Sequence, residues 1–111
     1  MDVRTGIDIV HVPTFAERME RGGETFIARV FLACEGLKMT DTERAAGWFA
    51  AKEAVHKACD LAPGSWLKIV LSHEPSGRPR VSVDDQPDDA LDVSIAHHGE
   101  YAVATAVLVR T

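Results

Sequence analysis

Two acids and an amine are the residues of this chain best suited to chemistry. Asp8 interrupts the apolar run Gly6-Ile-Asp-Ile-Val10. A carboxylate among Ile and Val is costly to bury unless something pairs with it; the alternative is a strand edge where Asp8 faces water. Glu53 and Lys57 stand four residues apart in Trp48-Phe-Ala-Ala-Lys-Glu-Ala-Val-His-Lys-Ala58, which reads as a helix. At that spacing the two side chains lie about 40° apart around the axis, on one face. Glu to Lys at this spacing is also a common solvated helix pair, and Lys52 beside them adds to that plainer reading. The chemical reading gains force if Asp8 lies opposite. A strand carboxylate, a helix carboxylate and an amine together can hold a hard cation beside a phosphate.

Other residues offer weaker chemistry. His97 and His98 precede Gly99 at a strand–strand junction, where they can ligate a transition metal or donate to a phosphate. The plainer alternative is a turn with one exposed and one packed histidine. Gly77-Arg78-Pro79 is a tight turn bearing a guanidinium that can grip a phosphate in a forked geometry, although a hairpin turn needs no function. Arg18, Arg21 and Arg29 flank Met19 and Phe26 and suit docking to an acidic, partly apolar helix; otherwise they form a solvated face. His56 receives no role. Ser94 lacks a Gly-x-Ser-x-Gly elbow. Cys34 and Cys59 have neither a metal spacing nor the basic surroundings of a reactive thiol.

The elements that must position these residues fit one domain spanning 1–111. Apolar residues make up 46% of the 111, enough for a packed core. No apolar run approaches a membrane span, and the N-terminus carries no signal-peptide pattern. With two free thiols, the expectation is a cytoplasmic protein. The formal net charge of −5 offers no electrostatic reason to coat nucleic acid. The charge is uneven: arginines occur early, while Asp84, Asp85, Asp88, Asp89 and Asp92 cluster late.

Val3 to Val12 reads as a first strand ending at Pro13, with Ile7 and Ile9 on one side and Asp8 on the other. A helix from Pro13 through Arg21 breaks at Gly22-Gly23, and a second runs from Glu24 to Leu32 on a stripe of Phe26, Ile27, Val30 and Phe31. Cys34 to Met39 is a connector with one turn of helix. Thr40 or Asp41 caps a long helix that reaches about Leu61 before Pro63-Gly64. Trp66 to Ser72 is a strand with Leu67, Ile69 and Leu71 on one face. It turns at Glu74-Pro-Ser-Gly77 and pairs with Pro79 to Val83. A short helical turn is expected within Asp84 to Ala90. Leu91 to Ala96 and Tyr101 to Val109 are the closing strands. The pattern predicts an α+β fold, a mostly antiparallel sheet packed against one long helix.

In this order the segments resemble the holo-[acyl-carrier-protein] synthase type of 4′-phosphopantetheinyl transferase, over nearly the whole chain. Gly6-Ile-Asp-Ile-Val10 is similar to the family's first motif, and Trp48 to Ala58 to its WFxxKEAxxK helix. Ser76-Gly-Arg-Pro79 resembles its Ser-Gly-Lys-Pro turn. Val93-Ser-Ile-Ala-His97 with Tyr101-Ala-Val-Ala104 resembles its closing strand pair. The resemblance implies a 4′-phosphopantetheinyl transferase-like fold. It also implies transfer of 4′-phosphopantetheine from coenzyme A to a serine of an acyl carrier protein, with release of adenosine 3′,5′-bisphosphate. On this reading Asp8 and Glu53 ligate Mg²⁺ and Lys57 contacts the phosphates and stabilises the leaving group. Glu53 helps to deprotonate the serine, directly or through water. Gly77, Arg78, Pro79 and His97 hold coenzyme A, and the Arg18, Met19, Arg21, Phe26 and Arg29 face docks the carrier. The resemblance further implies a homotrimer with the site between subunits, so that Asp8 and Glu53 act from different chains.

The chain departs from the family pattern at several places. His11 stands where an acid is usual, and Pro13-Thr14-Phe15 supplies no arginine. Trp48 replaces an arginine, Ala96 replaces a serine, and Cys59-Asp-Leu-Ala62 replaces a Gly-Thr-Gly-like phosphate loop, with Asp60 set to repel a phosphate. These changes point to a specialised carrier, of a polyketide or other secondary pathway, or to weakened coenzyme A binding. Two other functions compete: a degenerate module that binds carrier or coenzyme A without turnover, and a metal-dependent hydrolase using Asp8, Glu53 and His97.

Overall fold

A ten-residue strand, β1 (Asp2–His11), runs antiparallel to β6 (Tyr101–Arg110), which pairs on its other edge with β5 (Leu91–His98). A second small sheet joins β2 (Ile69–His73), β3 (Pro79–Val83) and the two-residue β4 (Gln86–Pro87), again antiparallel. These belong to a computed structural model that describes residues 1–84 and 86–111. Asp85 of the acidic cluster lies outside the described residues.

The long helix α2 (Thr42–Cys59) lies on the first sheet. Ala102, Ala104, Ala106 and Leu108 of β6 face it and are buried, as are Ala46, Ala50, Ala54 and Ala58 of the helix. Small residues on both surfaces let the backbones come close, and at Gly6 they nearly touch. A Cβ there would fall 1.9 Å from the Ala54 carbonyl oxygen. The strand alternates as expected, with an unexpected outcome. Gly6, Asp8 and Val10 face the helix, while Ile7 and Ile9 are 61% and 62% exposed on the outer surface.

Helix α1 (Val12–Val30) bends where the glycine pair predicts a break. Gly23 has φ 59° and ψ −152°, a conformation open essentially to glycine alone, and the stretch is two helical segments joined by that kink. Phe26, Ile27, Val30 and Phe31 are all buried, as their stripe predicts. The connector holds one 3₁₀ turn (Ala33–Glu35). Helix α2 stops short of Leu61, because Asp60 adopts the left-handed conformation at φ 54° and caps it.

A strand expectation and a helical one are corrected. Trp66–Lys68 forms a 3₁₀ turn, so Leu67 leaves the face of Ile69 and Leu71 and is exposed. The expected helical turn between Asp84 and Ala90 is replaced by β4, which pairs with Ser82 and Val83.

Lys52, read as part of a charged surface, is fully buried. Its ammonium donates to Glu35 Oε1 (2.7 Å) and to the carbonyls of Val30 (2.7 Å) and Trp66 (3.1 Å). The Glu35 carboxylate also accepts the backbone N–H groups of Leu32 (2.9 Å) and Leu71 (3.0 Å). Burial pushes the Lys52 ammonium towards its neutral form, and Glu35 opposes this by hydrogen bond and charge. The pair joins the end of α1, the 3₁₀ turn, α2 and β2.

Candidate functional site

Strand β1 and helix α2 bring the two acids and the amine together. The Lys57 ammonium donates to the Ile7 carbonyl at 2.7 Å and reaches Asp8 Oδ1 at 3.4 Å. Glu53, one turn earlier, accepts the indole N–H of Trp66 at 3.0 Å, which fixes the side chain and leaves its second oxygen free. Asp8 is not a water-facing edge residue: its side chain is only 21% exposed. Burial raises its pKa, Lys57 lowers it by charge and hydrogen bond, and the Glu53 charge raises it again.

Asp8 and Glu53 line one cleft of about 350 Å³ with His11, Thr14, Phe15, Arg18 and Phe49. Both acids therefore come from the same chain, which corrects the expectation that they act from different ones. Two neighbouring carboxylates that open to solvent beside the Lys57 amine form a donor set that fits Mg²⁺. That ion takes few carboxylates and keeps water and phosphate as its other ligands.

The coenzyme A candidates gather elsewhere. Gly77, Arg78, Pro79 and His97 line a cleft of about 550 Å³ with Arg44, Trp48 and His73. His97 Nε2 donates to the Glu43 carbonyl at 3.1 Å, and its ring packs on Gly47. Arg44 lies 4.7 Å above the Trp48 ring, which contacts the His73 ring at 5.4 Å. Arg78 is ion-paired with Asp92. His97 and His98 are both exposed, so the one-in, one-out arrangement does not occur. The two groups line separate clefts, and a single chain does not bring them into one site.

Arg18, Arg21 and Arg29 border a third depression, of about 340 Å³. Arg18 stacks 4.8 Å over the Phe26 ring. Met19 is 1% exposed and Phe26 8%. Met19 is thus core, which removes it from the expected docking face, and Phe26 forms the floor beneath Arg18. A further concavity of about 730 Å³ between the sheets has lining charges that are already ion-paired: Arg80 with Glu74 and Asp89, Arg78 with Asp92, and Asp88 with the nearby Arg110. Cys34 is exposed; Cys59 is partly buried, which raises its thiol pKa, with Asp88 adding to the effect.

Sequence reasoning overlooked one cluster beside the acids. His11 Nδ1 lies 2.6 Å from Thr14 Oγ1, and Nε2 lies 3.1 Å from Glu100 Oε2. The Tyr101 ring packs on the imidazole at 5.2 Å. The available signal was His11 itself, an ionisable residue three positions after Asp8.

A family model described as the 4′-phosphopantetheinyl transferase superfamily matches residues 4–106. Among curated relatives, the holo-[acyl-carrier-protein] synthase of Koribacter versatilis is 32% identical, covering 97% of this chain and 98% of its own. That of Anoxybacillus flavithermus is 35% identical, covering 99% and 98%. Among solved structures, the Helicobacter pylori holo-[acyl-carrier-protein] synthase in complex with coenzyme A superposes with a TM-score of 0.83 at 29% identity, covering 95% of this chain and 99% of the other. The Chronobacterium ammoniagenes complex with coenzyme A gives 0.79 at 30% identity, covering 97% of each chain.

Proposed function

This chain belongs to the 4′-phosphopantetheinyl transferase superfamily, and we propose from that premise that it is a holo-[acyl-carrier-protein] synthase. It transfers 4′-phosphopantetheine from coenzyme A to a serine hydroxyl of an acyl carrier protein and releases adenosine 3′,5′-bisphosphate. The observation that carries the residue assignment is the shared cleft of Asp8 and Glu53 with Lys57 at its edge.

Asp8 and Glu53 would hold Mg²⁺ together with water and the coenzyme A pyrophosphate; when bound, the ion neutralises charge on the transferring phosphoryl group. Lys57 is half-exposed and tethered to β1 through Ile7. Its long stem lets it turn to the phosphates and stabilise the negative charge of the departing nucleotide. Glu53, oriented by Trp66, helps to loosen the serine proton through its free oxygen. Gly77, Arg78, Pro79 and His97 grip the nucleotide end of coenzyme A, with Arg78 exchanging Asp92 for a phosphate. Arg18, Arg21 and Arg29 dock the acidic carrier.

The separation of the two clefts supports a site built between subunits, as in a homotrimer. The outer face of the β1–β6–β5 sheet carries exposed Val3, Ile7, Ile9, Val107 and Val109, an apolar surface that a neighbouring copy would cover. A cytoplasmic setting suits two unpaired thiols, and no described helix is long and apolar enough to cross a membrane. The departures at His11, Thr14 and Trp48 favour a specialised carrier.

The test is intact-mass spectrometry of a panel of apo carrier proteins after incubation with this protein, coenzyme A and Mg²⁺. A gain of one phosphopantetheine, lost on chelation, is expected and would name the carrier. Coenzyme A binding with no gain on any carrier would favour the degenerate binding module. The hydrolase reading loses support because it requires His97 beside Asp8 and Glu53, and His97 lines the other cleft.

A further inference from the structure

We infer that His11, braced by Glu100 and reached through the Thr14 hydroxyl, is the group that takes up the proton released by the acceptor serine. The inference rests on the transferase reading and extends it to residues that reading leaves without a role.

A proton must leave the serine as its oxygen attacks phosphorus. A carboxylate committed to a cation is a poor resting place for that proton, so the proton that Glu53 loosens needs a second acceptor. The same cleft supplies one: its wall includes His11 and Thr14 as well as Asp8 and Glu53. With Glu100 ionised, its carboxylate accepts Nε2–H at 3.1 Å. That contact sets the imidazole tautomer and leaves Nδ1 bare of hydrogen, facing the Thr14 hydroxyl at 2.6 Å. Thr14 then donates to Nδ1 and keeps lone pairs turned outward to accept from a substrate hydroxyl. Carboxylate, imidazole and hydroxyl are thereby arranged in series, the order used wherever an imidazole must accept a proton and hold the resulting charge.

The setting favours that order. Glu100 sits on the two-residue turn between β5 and β6, and Tyr101 from β6 packs on the ring. The backbone N–H of Val12 donates to the Glu100 carbonyl at 2.7 Å, which locks the turn to the start of α1. The charged groups around the cleft are Asp8 from β1, Glu53 and, at the edge, Lys57 from α2, Glu100 from the turn and Arg18 from α1.

The step balances. The serine oxygen forms a bond to the phosphorus that carries pantetheine, and the bridging P–O bond breaks with its electron pair on the departing adenosine 3′,5′-bisphosphate. The serine proton passes to Thr14 Oγ while the Thr14 proton passes to His11 Nδ1. His11 later returns it to water.

The test compares wild type with His11→Ala, His11→Gln, Thr14→Val and Thr14→Ser, by initial rates of carrier modification across the neutral pH range and by thermal midpoints. For His11→Ala the expected result is a fall in kcat of about 100-fold or more, an unchanged KM for coenzyme A, loss of the acid limb of the pH profile, and partial rescue by added imidazole. Thr14→Val should fall similarly, and Thr14→Ser should keep most of the rate. His11→Gln preserves bulk and a hydrogen bond, so its inactivity with a wild-type thermal midpoint would separate chemistry from folding. A His11→Ala or His11→Gln enzyme with wild-type kcat and pH profile would overturn the inference and leave His11 a brace for the start of α1. A wild-type protein inert on every carrier would bring down the transferase reading and this inference with it.

Discussion

Lys57 stands where helix and strand chemistry meet: it holds the Ile7 carbonyl and reaches the Asp8 carboxylate from a helix that also carries Glu53. Lys57→Ala should cut carrier modification by about 100-fold or more, since the ammonium acts on charge that grows in the transition state. Glu53→Ala should do the same, and Glu53→Gln, which can still accept the Trp66 indole N–H, should be equally inactive while melting like wild type. Near-normal rates in either position would remove it from the site. These two residues were legible because their relation is local, four positions on one helix. Lys52 was not, because its partner Glu35 lies seventeen positions earlier and meets it only through the fold. Lys52→Met should destabilise the protein by about 3–5 kcal/mol, leaving Glu35 as an unpaired buried charge. Denaturant unfolding measures this, and a change under about 1 kcal/mol would mean that the pair is not closed to water. His11 and Glu100, far apart in sequence, were hidden for the same reason as Lys52.

At the scale of elements, the site depends on how closely β1 approaches α2. The Gly6 backbone rests on the Ala54 carbonyl, and this proximity lets Lys57 span from helix to strand. Gly6→Ala therefore forces the two apart, at a cost of about 3 kcal/mol or more. It should lower transfer beyond what lost stability explains, because Asp8 moves away from Glu53. A variant with normal kcat and melting would show that the contact is slack. The elements themselves were readable wherever local chemistry dictates them: the Gly22-Gly23 break, the Phe26–Phe31 stripe and the hairpin at Gly77; α2 was also readable, although Asp41 at its start makes no side-chain capping bond. They were misread where tertiary pairing decides. Residues 84–90 are too polar to announce a strand, and β4 exists by pairing with β3. Leu67 looked like part of an alternating strand until the 3₁₀ turn at Trp66, anchored by Glu53 and Lys52, took it out of phase.

For the whole molecule, two unsatisfied features answer one another. One sheet face leaves Ile7 and Ile9 to water, and the acids and the proposed coenzyme A residues line clefts that do not merge within one chain. Self-association would cover the first and complete the second. Ile7→Asp with Ile9→Asp alters only the outer face and should yield a folded, inactive monomer by sedimentation; an active monomer would contradict the shared site. The stronger test mixes two inactive proteins. Glu53→Ala loses the acid half and keeps Arg78 and His97; the double variant Arg78→Ala, His97→Ala loses the nucleotide half and keeps Asp8, Glu53 and Lys57. If each site draws its halves from adjacent copies, random reassembly of equal amounts regenerates about a quarter of the sites intact, whatever the ring size. Transfer should then return to roughly that fraction of wild type after subunits are dissociated and remixed, and not when they are mixed without exchange. If both halves belong to one chain, no mixture contains an intact site and activity stays absent. Recovery would place the catalytic acids and the nucleotide grip on opposite sides of a subunit boundary.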